Sequence, residues 1–166
     1  MTDTLLTELP FPLAGRVFRS PMPFGHYDEG GQVFALYRQN GVQAVVVLAE
    51  AAEILEKTGR NLLGFYAAQG LGVYHQPIRD FSVPSQADLE RAVAAALGEA
   101  QAGRNVAIHC NAGIGRTGLV LACLARRVFG WQAEQAIRWV RQYIPTAVET
   151  DEQREAVQAF DPDNIP

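Results

Sequence analysis

The sequence predicts an α/β fold in which a central four- or five-stranded, mostly parallel sheet is flanked by helices. Three observations carry that expectation. Short apolar runs alternate with segments of helical period along the chain, the pattern of strand–helix units. The run QAVVVLA (43–49) is continuous and β-branched, as befits a strand buried on both faces. The run NVAIH (105–109) passes through a glycine-bearing loop straight into an apolar helical stretch. At 166 residues the chain has the length of one domain, and such a domain buries roughly 70% of its unfolded surface. Residues 15–161 are expected to form it, with 1–14 as an N-terminal segment and 162–166 as a short tail.

Each element has its own justification. RVFRS (16–20) reads as a short strand, and a helix ending near Gly41 after LYRQN leads into the strand 43–49. GVYHQPI (72–78) and NVAIH (105–109) are further strands. Ser85 with Asp88 three residues on marks a capped helix start. Leu89, Val93, Leu97 and Ala100 then recur at helical spacing until Gly103. Residues 117–129 are apolar almost all round, which places that helix at the centre of the molecule. In 132–144 one face carries Ala133, Ile137, Val140 and Ile144 before Pro145 ends the helix. A last helix spans about 150–160.

Composition removes several function classes. At 48% apolar and 19% charged residues, the chain is neither a disordered regulator nor a coiled coil. Two cysteines build no disulfide framework and no four-ligand zinc site, and His26, His75 and His109 lack ligand spacing. No metal and no cofactor are therefore expected. The first fifteen residues carry acids where a signal peptide needs basic residues, and no run approaches the ~20 apolar residues of a membrane span. The expectation is a cytoplasmic protein with no membrane partner, its oligomeric state left open with a monomer as the default. Net charge is −4, but residues 149–166 hold six acids against Arg154, so the first 148 carry 13 basic and 12 acidic side chains. That balance leaves no basic stripe for a nucleic acid.

The chemistry concentrates in His109-Cys110-Asn111-Ala112-Gly113-Ile114-Gly115-Arg116-Thr117-Gly118. A loop between a strand and a helix N-terminus turns its backbone amides on an anion, and the helix adds about half a positive charge. Gly113 and Gly115 permit the dihedrals and the close approach of such a cradle. Arg116 supplies a planar fork that matches two phosphate oxygens. A cysteine at the bottom of that well, Cys110, faces a bound phosphate as an in-line nucleophile. The glycines also satisfy the dinucleotide pattern G-x-G-x-x-G, yet only 48 residues follow Gly118 and they read as helices. A plain glycine-rich turn would have no use for Arg116 and Thr117 at that spacing.

This stretch resembles the signature loop of the cysteine-dependent protein tyrosine phosphatases, H-C-x5-R-[ST], in its dual-specificity form. The similarity runs from about Gly15 to Phe160 and is strongest to small atypical dual-specificity phosphatases and their archaeal and bacterial relatives. Rhodanese-like sulfur transferases also place a cysteine in an anion loop, but their motif matches less well. The resemblance implies a dual-specificity phosphatase-like fold with Cys110 as nucleophile and Arg116 on the phosphoryl group. Thr117 would stabilise the leaving thiolate and His109 would hold the loop. The amides of Asn111, Ala112, Gly113, Ile114, Gly115 and Arg116 would cradle the phosphate. Asp80, 30 residues before Cys110 in PIRDFSVPS, matches the family's mobile general acid. Gln153 would help place the hydrolytic water, although Thr150 with Gln153 also reads as a capping box. Glu149 would hold the loop through hydrogen bonds. Cys123 reads as a small core residue.

The resemblance also implies phosphorylated substrates. With no recognisable aromatic clamp motif near the N-terminus, a shallow pocket is expected, open to phosphotyrosine, phosphoserine and phosphothreonine in proteins. Phe24, Tyr27 and Phe81 are candidates for its rim. The alternative is a phytase-like enzyme for inositol polyphosphates, which needs extra cations around the pocket, with Arg16, Arg19, Lys57 and Arg79 as candidates. A non-catalytic phosphoprotein-binding module would lack Cys110, Arg116 or Asp80, and all three are present.

Overall fold

The computed structural model describes residues 4–164. Its strands are β1 (Thr7–Leu9), β2 (Val17–Ser20), β3 (Val42–Val47), β4 (Gly72–His75) and β5 (Asn105–His109). They form one sheet in the order β1-β2-β5-β3-β4, with β1 antiparallel to β2 and every other pairing parallel. The expected α/β architecture is therefore observed with five strands. Strand β5 lies at the centre because its alternate residues are apolar on both faces. Val106 and Ile108 join Ala44, Val46 and Leu48 under one helical layer, while Ala107 joins Val45, Val47 and Phe18 under the other.

On the first face lie α4 (Gln86–Gln101), α5 (Gly115–Phe129), α6 (Ala133–Arg141) and α7 (Asp151–Ala159). Twelve of the fifteen residues of α5 are buried, which makes it the core helix that its all-round apolar sequence predicts. The other face is covered by α1 (Gln32–Gln39), α2 (Ala51–Thr58) and α3 (Leu62–Ala68). Asp28 organises the approach to α1, accepting from the amides of Gln32 and Val33 with one oxygen and from Phe24 with the other.

Several elements differ from expectation. Of the segment 1–14, set apart from the domain in the sequence, the residues from Thr7 to Phe11 reach into the sheet and core. Thr7–Leu9 pairs with β2, and Leu9 and Phe11 enter the core. Strand β4 stops at His75 because Pro77 has no amide to donate, though Gln76 and Ile78 still bond to Val47 and Leu48 of the neighbouring strand. Helices α2 and α3 were not foreseen, since eight and seven residues are too few for an apolar period to show.

The parallel register sets Ser20, His109 and Val47 side by side. The carboxyl ends of β2, β5 and β3 therefore open on the same edge, the usual place for a ligand in an open α/β sheet.

Candidate active site

The loop 110–114 leaves the carboxyl end of β5 and enters α5 at Gly115. Gly113 adopts φ +76°, and a Cβ there would lie 2.2 Å from the carbonyl oxygen of Ser20, so only glycine lets the loop lie against β2. Gly115 is equally confined: a Cβ there would sit 2.3 Å from Glu149 Oε2 and 3.2 Å from Gln153 Nε2. Cys110 lies at the base of a cavity of about 150 Å³ lined by Tyr27, Asp80, Phe81, Asn111, Ala112, Ile114, Gly115, Arg116 and Glu149. The Thr117 hydroxyl, fully buried beneath it, donates to Cys110 Sγ at 3.2 Å.

His109 is buried below the loop, and Nδ1 lies 2.9 Å from the Cys110 carbonyl oxygen. A carbonyl only accepts, so Nδ1 carries the proton and Nε2 accepts from the Tyr66 hydroxyl at 2.9 Å. Burial pushes the imidazole pKa down to about 4. The bond to Cys110 opposes that shift and nearby Arg116 adds to it, so the ring is neutral near pH 7.

Arg116 is 2% exposed and held by three residues on two segments, α2 and the loop after β4. Its Nη1 and Nη2 donate to the two carboxylate oxygens of Glu53 on α2 at 2.8 and 2.7 Å, and Nη1 also donates to the Ile78 carbonyl at 2.9 Å. Asp80 Oδ1 lies 3.2 Å from Nη2. Glu53 thus occupies the Nη1–Nη2 edge of the guanidinium and leaves the Nε–Nη2 edge for a second bidentate anion. Burial works against the charge of Glu53, but the fork from Arg116 outweighs it and holds the carboxyl below the usual range. Neither composition nor spacing singles out Glu53; it arrives through the chain path after β3.

The late loop departs from expectation in one respect. Gln153 Oε1 accepts from the amides of Glu149 and Thr150 at 2.7 and 3.3 Å, completing the capping box of α7 with Thr150. Its Nε2 is buried with no hydrogen-bond partner among the described residues, as is Asn111 Oδ1. The Glu149 carboxylate packs against Gly115 but makes no hydrogen bond to the loop among the described residues, because only its amide is engaged. Burial and the nearby Asp80 raise its pKa against the pull of Arg116.

The rim residues also sort themselves. Tyr27 and Phe81 line the cavity, whereas Phe24 packs on Phe65 under the guanidinium of Arg60. Arg16 is engaged by Glu8, Arg19 turns to the back of the loop, and neither Lys57 nor Arg79 lines the cavity.

Residues 26–128, more than half of the chain, match the family model described as "Polymorphic toxin system, DSP-PTPase phosphatase". The chain belongs to the DSP-PTPase phosphatase family. The solved structure of Tk-PTP in its active form is similar to this chain, with 31% identity and a TM-score of 0.76 over 90% of this chain and 94% of that one. Kinase associated phosphatase superposes with a TM-score of 0.84 over 95% and 94% of the two chains, at 22% identity, a likeness of fold. The bovine (Bos taurus) protein tyrosine phosphatase domain-containing protein 1 is 29% identical over 75% of this chain, which spans only 16% of that protein's length. Among the described residues of this phosphatase-family chain, no helix is long and apolar enough to cross a membrane.

Proposed function

We propose that the protein hydrolyses phosphomonoesters of proteins, phosphotyrosine foremost and phosphoserine and phosphothreonine by the same route, through a cysteinyl-phosphate on Cys110. The observation that carries this reading is the convergence of Cys110 Sγ, the Arg116 fork and the Asp80 carboxylate on one small cavity, with the Thr117 hydroxyl behind the sulfur. In the first step the phosphate takes the Nε–Nη2 edge of Arg116, displacing Asp80 from Nη2. The Cys110 thiolate attacks phosphorus, and the Sγ–P bond forms as the ester P–O bond breaks. Asp80 in its acid form gives its proton to the leaving oxygen and ends as the carboxylate. In the second step water attacks phosphorus, its proton passes to the Asp80 carboxylate, and the Sγ–P bond breaks to release inorganic phosphate. The departing thiolate is received by Thr117, and Gln153 Nε2 holds the water, a role supported by its burial beside Gly115 without a hydrogen-bond partner among the described residues. Residues 15–161 with β1 carry this chemistry.

The preference for an aryl ester is supported by the rim. Tyr27 and Phe81 are 57% and 67% exposed and both line the cavity, flanking the path by which a phenyl ring would enter. The inositol polyphosphate alternative draws less support, since none of its four candidate cations lines the cavity.

The test compares kcat/KM for a phosphotyrosine peptide, a phosphothreonine peptide and inositol hexakisphosphate with chelator present, with Cys110→Ser beside the wild type. Peptide hydrolysis that vanishes in Cys110→Ser, with a phosphoenzyme trapped on rapid quench, supports the proposal. A preference for the inositol phosphate of ~100-fold, about 2.7 kcal/mol of transition-state discrimination, overturns the substrate assignment. Activity that survives Cys110→Ser overturns the mechanism.

A further inference from the structure

A phosphate cradle needs several adjacent amides aimed inward, a conformation that no regular secondary structure enforces. In a trans peptide the carbonyl of one residue and the amide of the next point in opposite directions, and no peptide bond among the described residues is cis. The direction of each cradle amide can therefore be read from what holds the carbonyl before it.

Four carbonyls are held from outside. Cys110 O accepts from His109 Nδ1 at 2.9 Å, and Asn111 O accepts from the Met22 amide at 2.8 Å. The next two share one donor side chain. Arg19 Nη2 reaches Ala112 O at 3.3 Å and Arg19 Nε reaches Gly113 O at 3.1 Å. The amides of Gly113 and Ile114 are thereby turned toward the cavity. Arg19 stands on β2, one strand away from the loop, in register with Ile108 of β5. It is 7% exposed, and its Nη1 donates to the Thr4 carbonyl at 2.8 Å, so the guanidinium is pinned on both sides. Gly113, at φ +76° against the Ser20 carbonyl, has no side chain of its own to keep this peptide from turning. A cation behind the cradle also raises the potential that an incoming dianion meets.

We propose that Arg19 is a positioning residue of the phosphate site, holding the Ala112 and Gly113 carbonyls outward so that the following two amides face the phosphoryl group. The proposal rests on the loop being the phosphate cradle. The sequence reading had placed Arg19 among candidate rim cations; its position behind the loop gives it a different task.

Inorganic phosphate is the probe, because it meets the cradle without needing the general acid. The measurements are the inhibition constant of phosphate, kcat and KM for p-nitrophenyl phosphate, and thermal unfolding, for Arg19→Met, Arg19→Lys and the surface control Arg16→Met. The expected result is a ~10- to 100-fold rise in the phosphate inhibition constant and a similar fall in kcat/KM for folded Arg19→Met. Arg19→Lys should recover part of the loss, since an ammonium can hold one carbonyl but cannot span two. Arg16→Met should behave as wild type. Where Arg19→Met does not fold, Arg19→Lys decides by the same constant. An inhibition constant within twofold of wild type in a folded Arg19 variant, whatever its melting temperature, overturns the proposal. A wild-type enzyme that phosphate fails to inhibit, or that keeps its activity as Cys110→Ser, overturns instead the reading on which it rests.

Discussion

At the scale of single residues, the site is a set of charges held at a cost by neighbours from other elements. Arg116 is buried, and Glu53 is its bidentate partner. Removing one member of a buried pair leaves the other charge without solvent or partner, which is dearer than losing a surface bridge. Glu53→Ala is expected to lower kcat/KM by ~30-fold, about 2 kcal/mol, as Arg116 leaves its working orientation. Glu53→Gln, which keeps one acceptor, should lose less; steady-state rates on p-nitrophenyl phosphate beside a thermal melt check both. Phe81 makes a different contribution. It sits at φ +57°, strained for an aromatic residue, and its ring is turned out to the cavity mouth beside Asp80. Phe81→Ala should reduce the ratio of phosphotyrosine to phosphothreonine peptide turnover several-fold, and an unchanged ratio would remove the rim from substrate choice.

Elements matter by the way their ends meet. Loop 110–114 and β2 touch at Gly113, and Gly113→Ala pushes a methyl into the Ser20 carbonyl from an unfavourable φ. We expect a loss of about 2–3 kcal/mol in unfolding free energy together with weaker phosphate inhibition, read from urea melts and an inhibition assay. The start of α7 carries two duties at once. Its capping box fixes Gln153 Oε1 and so aims Nε2 toward Gly115. Thr150→Ala should cost about 1 kcal/mol of stability. It should also lower kcat more than kcat/KM, because in the proposed mechanism hydrolysis of the phosphoenzyme follows the step that sets kcat/KM. A burst of p-nitrophenol larger than wild type's would be the signature.

Across the whole molecule, stability and the site share the His109 ring. Burial holds its pKa at about 4 in the fold against an ordinary 6.5. The unfolded chain therefore binds the extra proton first, and stability is lost as pH falls through the window from about 6.5 to 4. The loss amounts to roughly 3 kcal/mol. Among the carboxylates, Glu53, Glu99 and Glu134 are held below their ordinary 4.5 and withdraw stability only as pH falls past about that value. Glu149 is raised, takes up its proton inside the window and opposes the fall. Urea unfolding at pH 7, 6 and 5 should show the fall in wild type and a flatter dependence in His109→Gln. Equal slopes for both would mean that the ring is not the titrating group.

The fold class, the strand 43–49 buried on both faces, the core helix and the contiguous loop are legible in the order of the residues alone, because alternation, helical period and loop chemistry are properties of neighbouring residues. Cys110, Arg116 and Thr117 were legible for the same reason, since they share one loop. Tertiary structure alone decided what surrounds them. Glu53 reaches Arg116 from a helix on the opposite face of the sheet, Tyr66 meets His109 from another, and Arg19 crosses from β2 because the strands run in parallel register. Of the rim cations expected from the sequence, Arg19 is drawn behind the loop by carbonyls of residues 112 and 113 and Arg16 is held by Glu8. Such pairings depend on where separate elements pack, and a linear spacing does not record that.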